Sequence, residues 1–200
     1  MGYHIITINR EFESRGNEIG QAVAKHLNIP YADKFLIEEA AQKSGISVER
    51  ILSTDEQLAS RFEYSQAQAA SFYGSAESPL PTNEQVAAIQ FDLIRQIASN
   101  GPCVIVGRCA NYLLRDREDV LDVFIHAGRD YRVRRTMESF DLSERAAVRL
   151  LKRTDRARKA YYKNYTGMDW NDPNSYHLVV NSDRLSFDLC VDLILRAYRG

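Results

Sequence analysis

The sequence has no run of about 18 consecutive apolar residues, so nothing in it reads as a membrane-spanning helix. It has little cysteine. Cys103, Cys109 and Cys190 are odd in number and form no C-x-x-C pair, which argues against a disulfide framework or a zinc knuckle. The histidines, His4, His26, His126 and His177, lack metal-ligand spacing, and no metal-binding residue is assigned. Met1-Gly2-Tyr3-His4 does not lead from a basic stretch into an apolar one, and Ile6 stands where a myristoylation signal needs Ser or Thr. A cytoplasmic protein is expected. Net charge is almost absent as well: the formal −1 argues against a nucleic-acid binder held by bulk charge. What is present is ordinary globular composition, 44% hydrophobic and 26% charged over 200 residues, enough for one self-sufficient domain.

The near-neutral sum hides a division. Residues 1–100 carry 8 Lys/Arg against 13 Asp/Glu, or −5, while residues 101–200 carry 18 against 14, or +4. Between Arg129 and Lys163 alone there are 12 Lys/Arg against 5 Asp/Glu.

Hydrophobic patterning gives the order of elements. His4 to Asn9 is a β-branched run followed by a polar loop, and Ile19, Ala22, Val23 and Leu27 then recur at helical spacing. Pro30 and Tyr31 interrupt. Further helices are expected over Phe35–Gln42, more weakly over Ile51–Tyr73, and from the capping box Thr82-Asn83-Glu84-Gln85 to about Ser99. Cys103–Val106, Leu121–His126 and Leu178–Asn181 read as buried strands, with helices over Arg129–Ser139, Ser143–Lys163 and Phe187–Tyr198. Short apolar strands alternating with helices predict an α/β fold, a parallel sheet covered on both faces. Cys103, inside an apolar run, is expected to be a small core residue.

Ligands of such sheets bind beyond the carboxyl ends of the strands. The loops found there, Arg10–Asn17, Gly107–Asn111, His126–Asp130 and Asn181–Arg184, all contain arginine. Arginine repeated at the mouth of a net-neutral chain points to a phosphate-bearing ligand. The first of these loops sits between a strand and an amphipathic helix, the setting of a P-loop, where backbone N–H groups and the helix dipole hold phosphates. The full signature G-x-x-x-x-G-K-[ST] is missing. Asn9-Arg10-Glu11-Phe12-Glu13-Ser14-Arg15-Gly16-Asn17-Glu18-Ile19-Gly20 has glycine at 16 and 20 and no lysine.

Taken with this loop, Tyr31-Ala32-Asp33-Lys34, Val104-Ile105-Val106-Gly107-Arg108-Cys109-Ala110, Val123-Phe124-Ile125-His126-Ala127, Tyr161 to Gly167 and Val180-Asn181-Ser182 carry a resemblance. The chain resembles the bacterial cytidylate kinase-like family, within the P-loop nucleoside monophosphate kinase fold. The family's loop usually reads N-R-E-x-G-S-G-G-R-E-I-G; here Glu13 and Arg15 replace glycines and Asn17 replaces arginine.

The resemblance implies a three-layer αβα P-loop domain over 1–200 with a parallel, five-stranded sheet. Its core would be about 1–32, 101–128 and 174–200, with a helical acceptor-side insertion at 33–100 and a lid at 129–173. It implies transfer of the ATP γ-phosphoryl, with Mg²⁺, to a small phosphorylated acceptor such as a nucleoside monophosphate, CMP by the family's name. Arg10, Ser14, Arg15, Gly16, Asn17 and Glu18 would hold the donor, and Asn181 would lie near its base. Arg108 and Asp33 would meet the acceptor, and Arg153, Arg156 and Arg158 would close the lid. Asp33 is also a plausible helix N-cap. The alternative is a catalytically degenerate module that binds a nucleotide or phospho-ligand without turnover, because the lysine and two glycines are gone. Neither reading involves nucleic acid or a membrane, and the sequence does not set an oligomeric state. Tyr161, Tyr162, Tyr165 and Trp170 are expected to form a hinge or core packing cluster.

Overall fold

β-branched runs become the central strands. In the computed structural model, which describes residues 2–33 and 83–200, β1 spans Ile5–Arg10 and is followed by α1, Gly16–Leu27. A two-residue strand β2, Tyr31–Ala32, precedes α2, Asn83–Ser99. β3 is Cys103–Val106 and the short α3 Ala110–Leu113. β4, Val120–His126, leads into α4, Arg129–Phe140, and α5, Glu144–Thr166. β5, Leu178–Asn181, and α6, Phe187–Arg199, close the chain. The expected helices over 35–42 and 51–73, and Thr82 of the capping box, lie outside the described residues.

All five strands are parallel, in the order β2-β3-β1-β4-β5. β1 is paired on both sides, which is why five of its six residues are buried. Side chains alternate across the sheet. Ile6 and Ile8 join Val104, Val106, Leu121 and Val123 under α1 and α6, where Ile19, Val23, Cys190 and Ile194 complete the layer. Ile5, Cys103, Ile105 and Val120 face the other way, against Ile94 and Ala98 of α2. Burial pushes the Cys103 thiol up to about 11, consistent with a core residue and not a nucleophile.

The second face is not purely apolar near the strand ends. Thr7 donates to Asp122 Oδ1 at 2.5 Å across the β1–β4 pair. Asn9 Nδ2 donates to Asn111 Oδ1 at 3.0 Å and to the Tyr176 hydroxyl at 3.2 Å. Asn111 Nδ2 in turn donates to the Tyr162 hydroxyl at 2.9 Å. Around this network Cys109, Phe124, Tyr161, Tyr162 and Trp170 are buried together, so the aromatic group of the sequence is core, as expected.

α4 and α5 form an antiparallel hairpin around Val133, Ala147 and Leu151. Phe12, from the loop after β1, packs into that hairpin, its ring 5.8 Å from Phe140. The hairpin is thereby fixed against the loop. Among the described residues no helix is long and apolar enough to cross a membrane.

Candidate functional site

The loop after β1 is built by a few internal bonds. Glu11 N–H donates to Ile125 O on the neighbouring strand, and the Ser14 hydroxyl donates to Glu11 O at 2.9 Å and Ile125 O at 3.1 Å. The Ser182 hydroxyl, beyond β5, donates to Ser14 O at 2.6 Å. Ser14 is fully buried and its side chain is spent on holding the loop, so what it offers a ligand is backbone. Glu13 and Arg15 adopt φ of 56° and 62°. These are the positions where the resembling loop carries glycine, so the left-handed turns are kept although the glycines are not, at a cost of roughly 1–2 kcal/mol per residue. Arg15 is the N-cap of α1 and makes no side-chain cap, which leaves the first-turn N–H groups of the helix facing the loop's interior.

Behind the loop lies a buried ion cluster. Arg132, its side chain 8% exposed, has Nε 3.3 Å from Glu11 Oε2 and donates through Nη1 to Asp155 Oδ2. Asp155 Oδ1 accepts the Phe12 N–H at 2.8 Å, and Glu11 Oε2 accepts the Ala127 N–H at 3.2 Å. The cluster therefore ties the loop after β1, α4 and α5 together through one arginine.

In front of the loop is an open pocket lined by residues 10–18 with Arg135 and Arg158. Arg15 Nε donates to Glu18 Oε2 at 2.8 Å, Arg135 reaches both Glu13 and Glu18, and Arg158 Nη1 donates to Arg10 O at 2.9 Å. Four guanidinium groups thus meet at the N-terminus of α1, together with three carboxylates.

The turn after β3 uses the same backbone device. Gly107, Arg108 and Cys109 all have positive φ, at 78°, 55° and 58°. Arg108 is 8% exposed, with its guanidinium 5.4 Å from the Tyr161 ring centroid. Tyr161 donates to Gln90 Oε1 at 3.4 Å. Arg10 connects the two turns. A Cβ on Gly16 would lie 2.4 Å from Arg10 Cβ, and one on Gly107 would lie 2.6 Å from Arg10 Nη1. Its side chain runs between two glycines, one from each turn, and Nε donates to Asn17 Oδ1 at 2.8 Å. At Gly16 the passage excludes a side chain, because the clash is with Arg10 Cβ and Cγ, whereas Gly107 meets only the mobile end of Arg10 and is favoured by its φ of 78°.

Of the residues singled out in the sequence, Arg10, Ser14, Arg15, Gly16, Asn17, Glu18 and Arg158 line the pocket. Arg108 lies next to Gly107 at the adjoining strand end, and Asp33 is half-buried after β2. Tyr31, between them and the loop, is pushed up to about 12 by burial and the Asp33 carboxylate, against the pull of Arg10. Asn181 Oδ1 accepts the Asp183 and Arg184 N–H groups, shaping the turn beyond β5, and lies outside the pocket lining. Arg153 and Arg156 are exposed on α5, turned away from the face that Asp155 and Arg158 share. The helix hosting Asp33 as an N-cap falls outside the described residues.

Glu11, Arg132, Arg135, Asp155 and Ser182 were given no site role from the sequence, although Glu11 and Ser182 lie in the motifs that carry the resemblance. The available signal was the i, i+3 pair Arg132/Arg135 on the helix leaving a strand end, hidden in a stretch where arginine is everywhere.

Residues 5–184 match the model of the cytidylate kinase-like family. The chain belongs to that family. No curated protein matches it. Among solved structures, this cytidylate kinase-like chain is similar to an uncharacterized protein from Eubacterium ventriosum, at TM-score 0.73 and 27% identity, covering 96% of each chain. It is also similar to TT1252 from Thermus thermophilus, at TM-score 0.57, 15% identity and 100% of both chains. Shikimate kinase from Bacteroides thetaiotaomicron aligns at TM-score 0.55 and 15% identity over 96% of each chain. The last two likenesses concern the fold alone, an α/β fold with a parallel five-stranded sheet. Among the described residues, no group of three or more His, Cys, Asp or Glu is arranged to hold a metal ion.

Proposed function

We propose that this cytoplasmic, cytidylate kinase-like chain binds the phosphates of ATP in the loop after β1 and transfers the γ-phosphoryl to a small phosphorylated acceptor. A nucleoside monophosphate, CMP by family name, is the first acceptor to test. One observation carries the reading. Arg10 passes between Gly16 and Gly107, so one side chain borders both the open N-terminus of α1 and the Gly107-Arg108 turn. Phosphoryl transfer asks for cations aligned along a line from donor to acceptor and for little covalent chemistry, because the transition state is stabilised by position and charge.

In this reading the amides of Arg15, Gly16 and Asn17 and the guanidinium groups of Arg10, Arg15 and Arg158 hold the donor. Ser14 and Glu18 shape the loop, and Asn181 borders the base. Arg108 and Asp33 receive the acceptor. Arg153 and Arg156 complete the lid when ligand is present. The donor set suits a polyphosphate: amide and guanidinium N–H groups converge at the start of α1, where a ligand would compete with the loop's own carboxylates for them. Mg²⁺ would be brought by the donor's phosphates, with Glu13 and Glu18 the carboxylates nearest to them. Its contribution would be to neutralise charge on the transferred group.

A specific observation favours a second reading, a phospho-ligand sensor without turnover. The cations of the pocket are already paired with carboxylates of the same loop, and the lysine is missing. Purified protein with ATP, Mg²⁺ and a panel of nucleoside monophosphates, coupled to ADP detection, separates the two. ADP release dependent on one acceptor supports the kinase. No turnover with saturable nucleotide binding leaves the sensor, and neither binding nor turnover defeats both.

A further inference from the structure

Among the described residues lining the loop pocket, Arg135 is the one with a buried side-chain donor that makes no hydrogen bond. It comes from α4, and Nη2 donates to Glu18 Oε1. Its Nε lies 3.3 Å from Glu13 Oε2, yet that N–H is buried and makes no hydrogen bond. A buried charged donor left unmade is costly, so this is a place where an acceptor of better geometry would be taken up.

The carboxylates around it are not equally secured. Glu11 accepts from Ala127 N–H and faces Arg132. Glu18 is bonded by Arg15 at 2.8 Å and by Arg135. Glu13 has only the misaligned 3.3 Å approach to Arg135 and a 3.4 Å bond from the Ser139 hydroxyl. It is also in a left-handed conformation, with φ of 56°. Glu13 is therefore the carboxylate that yields most readily.

We infer that Arg135 is the cation that receives a donor phosphate in this loop, and that Glu13 is the internal carboxylate which that phosphate displaces. A phosphate oxygen can accept the Nε–H and sit between the guanidinium and the first-turn amides of α1. It cannot do so beside an undisplaced Glu13, because two anions would share one cation. Binding is then an exchange of one anion for another. The exchange favours ligands that bring several negative charges, a di- or triphosphate, over a single phosphate group. It also sets a threshold on affinity that a glycine at this position would not impose. The inference rests on the reading of this loop as a phosphate cradle and assigns to Glu13 a gating role within it.

Calorimetric titration of sodium tripolyphosphate, and separately of MgATP, into four proteins tests it: the wild type, Glu13→Gln, Arg135→Lys and the double variant. Glu13→Gln keeps the backbone and size and removes the charge. It should bind about tenfold tighter. Arg135→Lys keeps a charge and the fold but loses the fixed fork, and should bind about tenfold weaker. In that background the gain from Glu13→Gln should shrink to about threefold or less, the mark of coupled partners. Binding by the wild type with no gain in Glu13→Gln, or an equal gain in both backgrounds, overturns the exchange while leaving the cradle standing. No saturable binding by any of the four overturns the cradle and the exchange together.

Discussion

The turns after β1 and β3 leave neighbouring parallel strands, and both enter a helix through left-handed residues that are not glycine. Glu13 and Arg15 occupy those positions in the first turn, Arg108 and Cys109 in the second. From there they diverge. The first turn is rich in charge, braced from behind by Glu11, Arg132 and Asp155 and faced in front by Arg135, Glu13 and Glu18. The second is set among aromatic rings, with Arg108 over Tyr161 and Cys109 in the apolar cluster. One backbone solution thus serves two electrostatic environments. The first turn is set in an ion network. The second presents a nearly buried cation on an aromatic wall.

That contrast predicts unequal responses to mutation. Asp155→Ala should be the most damaging, because it strips the partner from a buried arginine and from the Phe12 N–H at once. A loss of about 3–5 kcal/mol of stability is expected. Urea denaturation should report it, and an unchanged midpoint would mean that the donor loop does not depend on its ion network.

Asp122 extends the comparison to the strands beneath the donor side. Burial raises its carboxyl to about 6, against the Thr7 hydrogen bond and the nearby His177, which pull it down. Its folded value is above the ordinary value near 4, so folding favours the protonated form. Stability from this group is full below about pH 4 and is lost as pH rises through about 6, by no more than about 3 kcal/mol. Melting curves of wild type and Asp122→Asn across that window should diverge in this sense. Parallel curves would contradict it.

Arg108→Ala probes the other turn. It should weaken acceptor binding about ten- to a hundredfold by loss of a charge-assisted contact, with little change in unliganded melting temperature. Unchanged acceptor affinity with a large drop in melting temperature would make Arg108 a structural residue, and the contrast between the two turns would disappear.

The sheet was largely legible because its inner strands are short runs of Ile, Val and Leu buried on both faces, as at Ile5–Arg10 and Cys103–Val106. β2 was not, since two residues, Tyr31 and Ala32, make no pattern, and they pair only through the register of β3. In the site, the loop residues were readable from their place between strand and helix. The network beneath them was not. Arg132, Asp155 and Glu11 are far apart in sequence and meet only when α4 and α5 fold back over the strand ends. The basic character of the stretch that becomes α5 was visible as an excess of Lys/Arg. That Arg158 turns to the loop while Arg153 and Arg156 face outward follows from which side carries Ala147, Leu151 and Tyr162, and only the packing decides that. Glu13 and Arg15 gave the opposite lesson, since the glycines were lost and the conformation stayed.

The central claim is that the loop after β1 holds a polyphosphate at the start of α1. Titration of MgATP into wild type and into Gly16→Ala tests it most directly, because an added Cβ would lie 2.4 Å from Arg10 Cβ and force the loop open. The account predicts saturable one-to-one binding by the wild type and its loss in a Gly16→Ala protein that still folds. Equal binding by both proteins would contradict it.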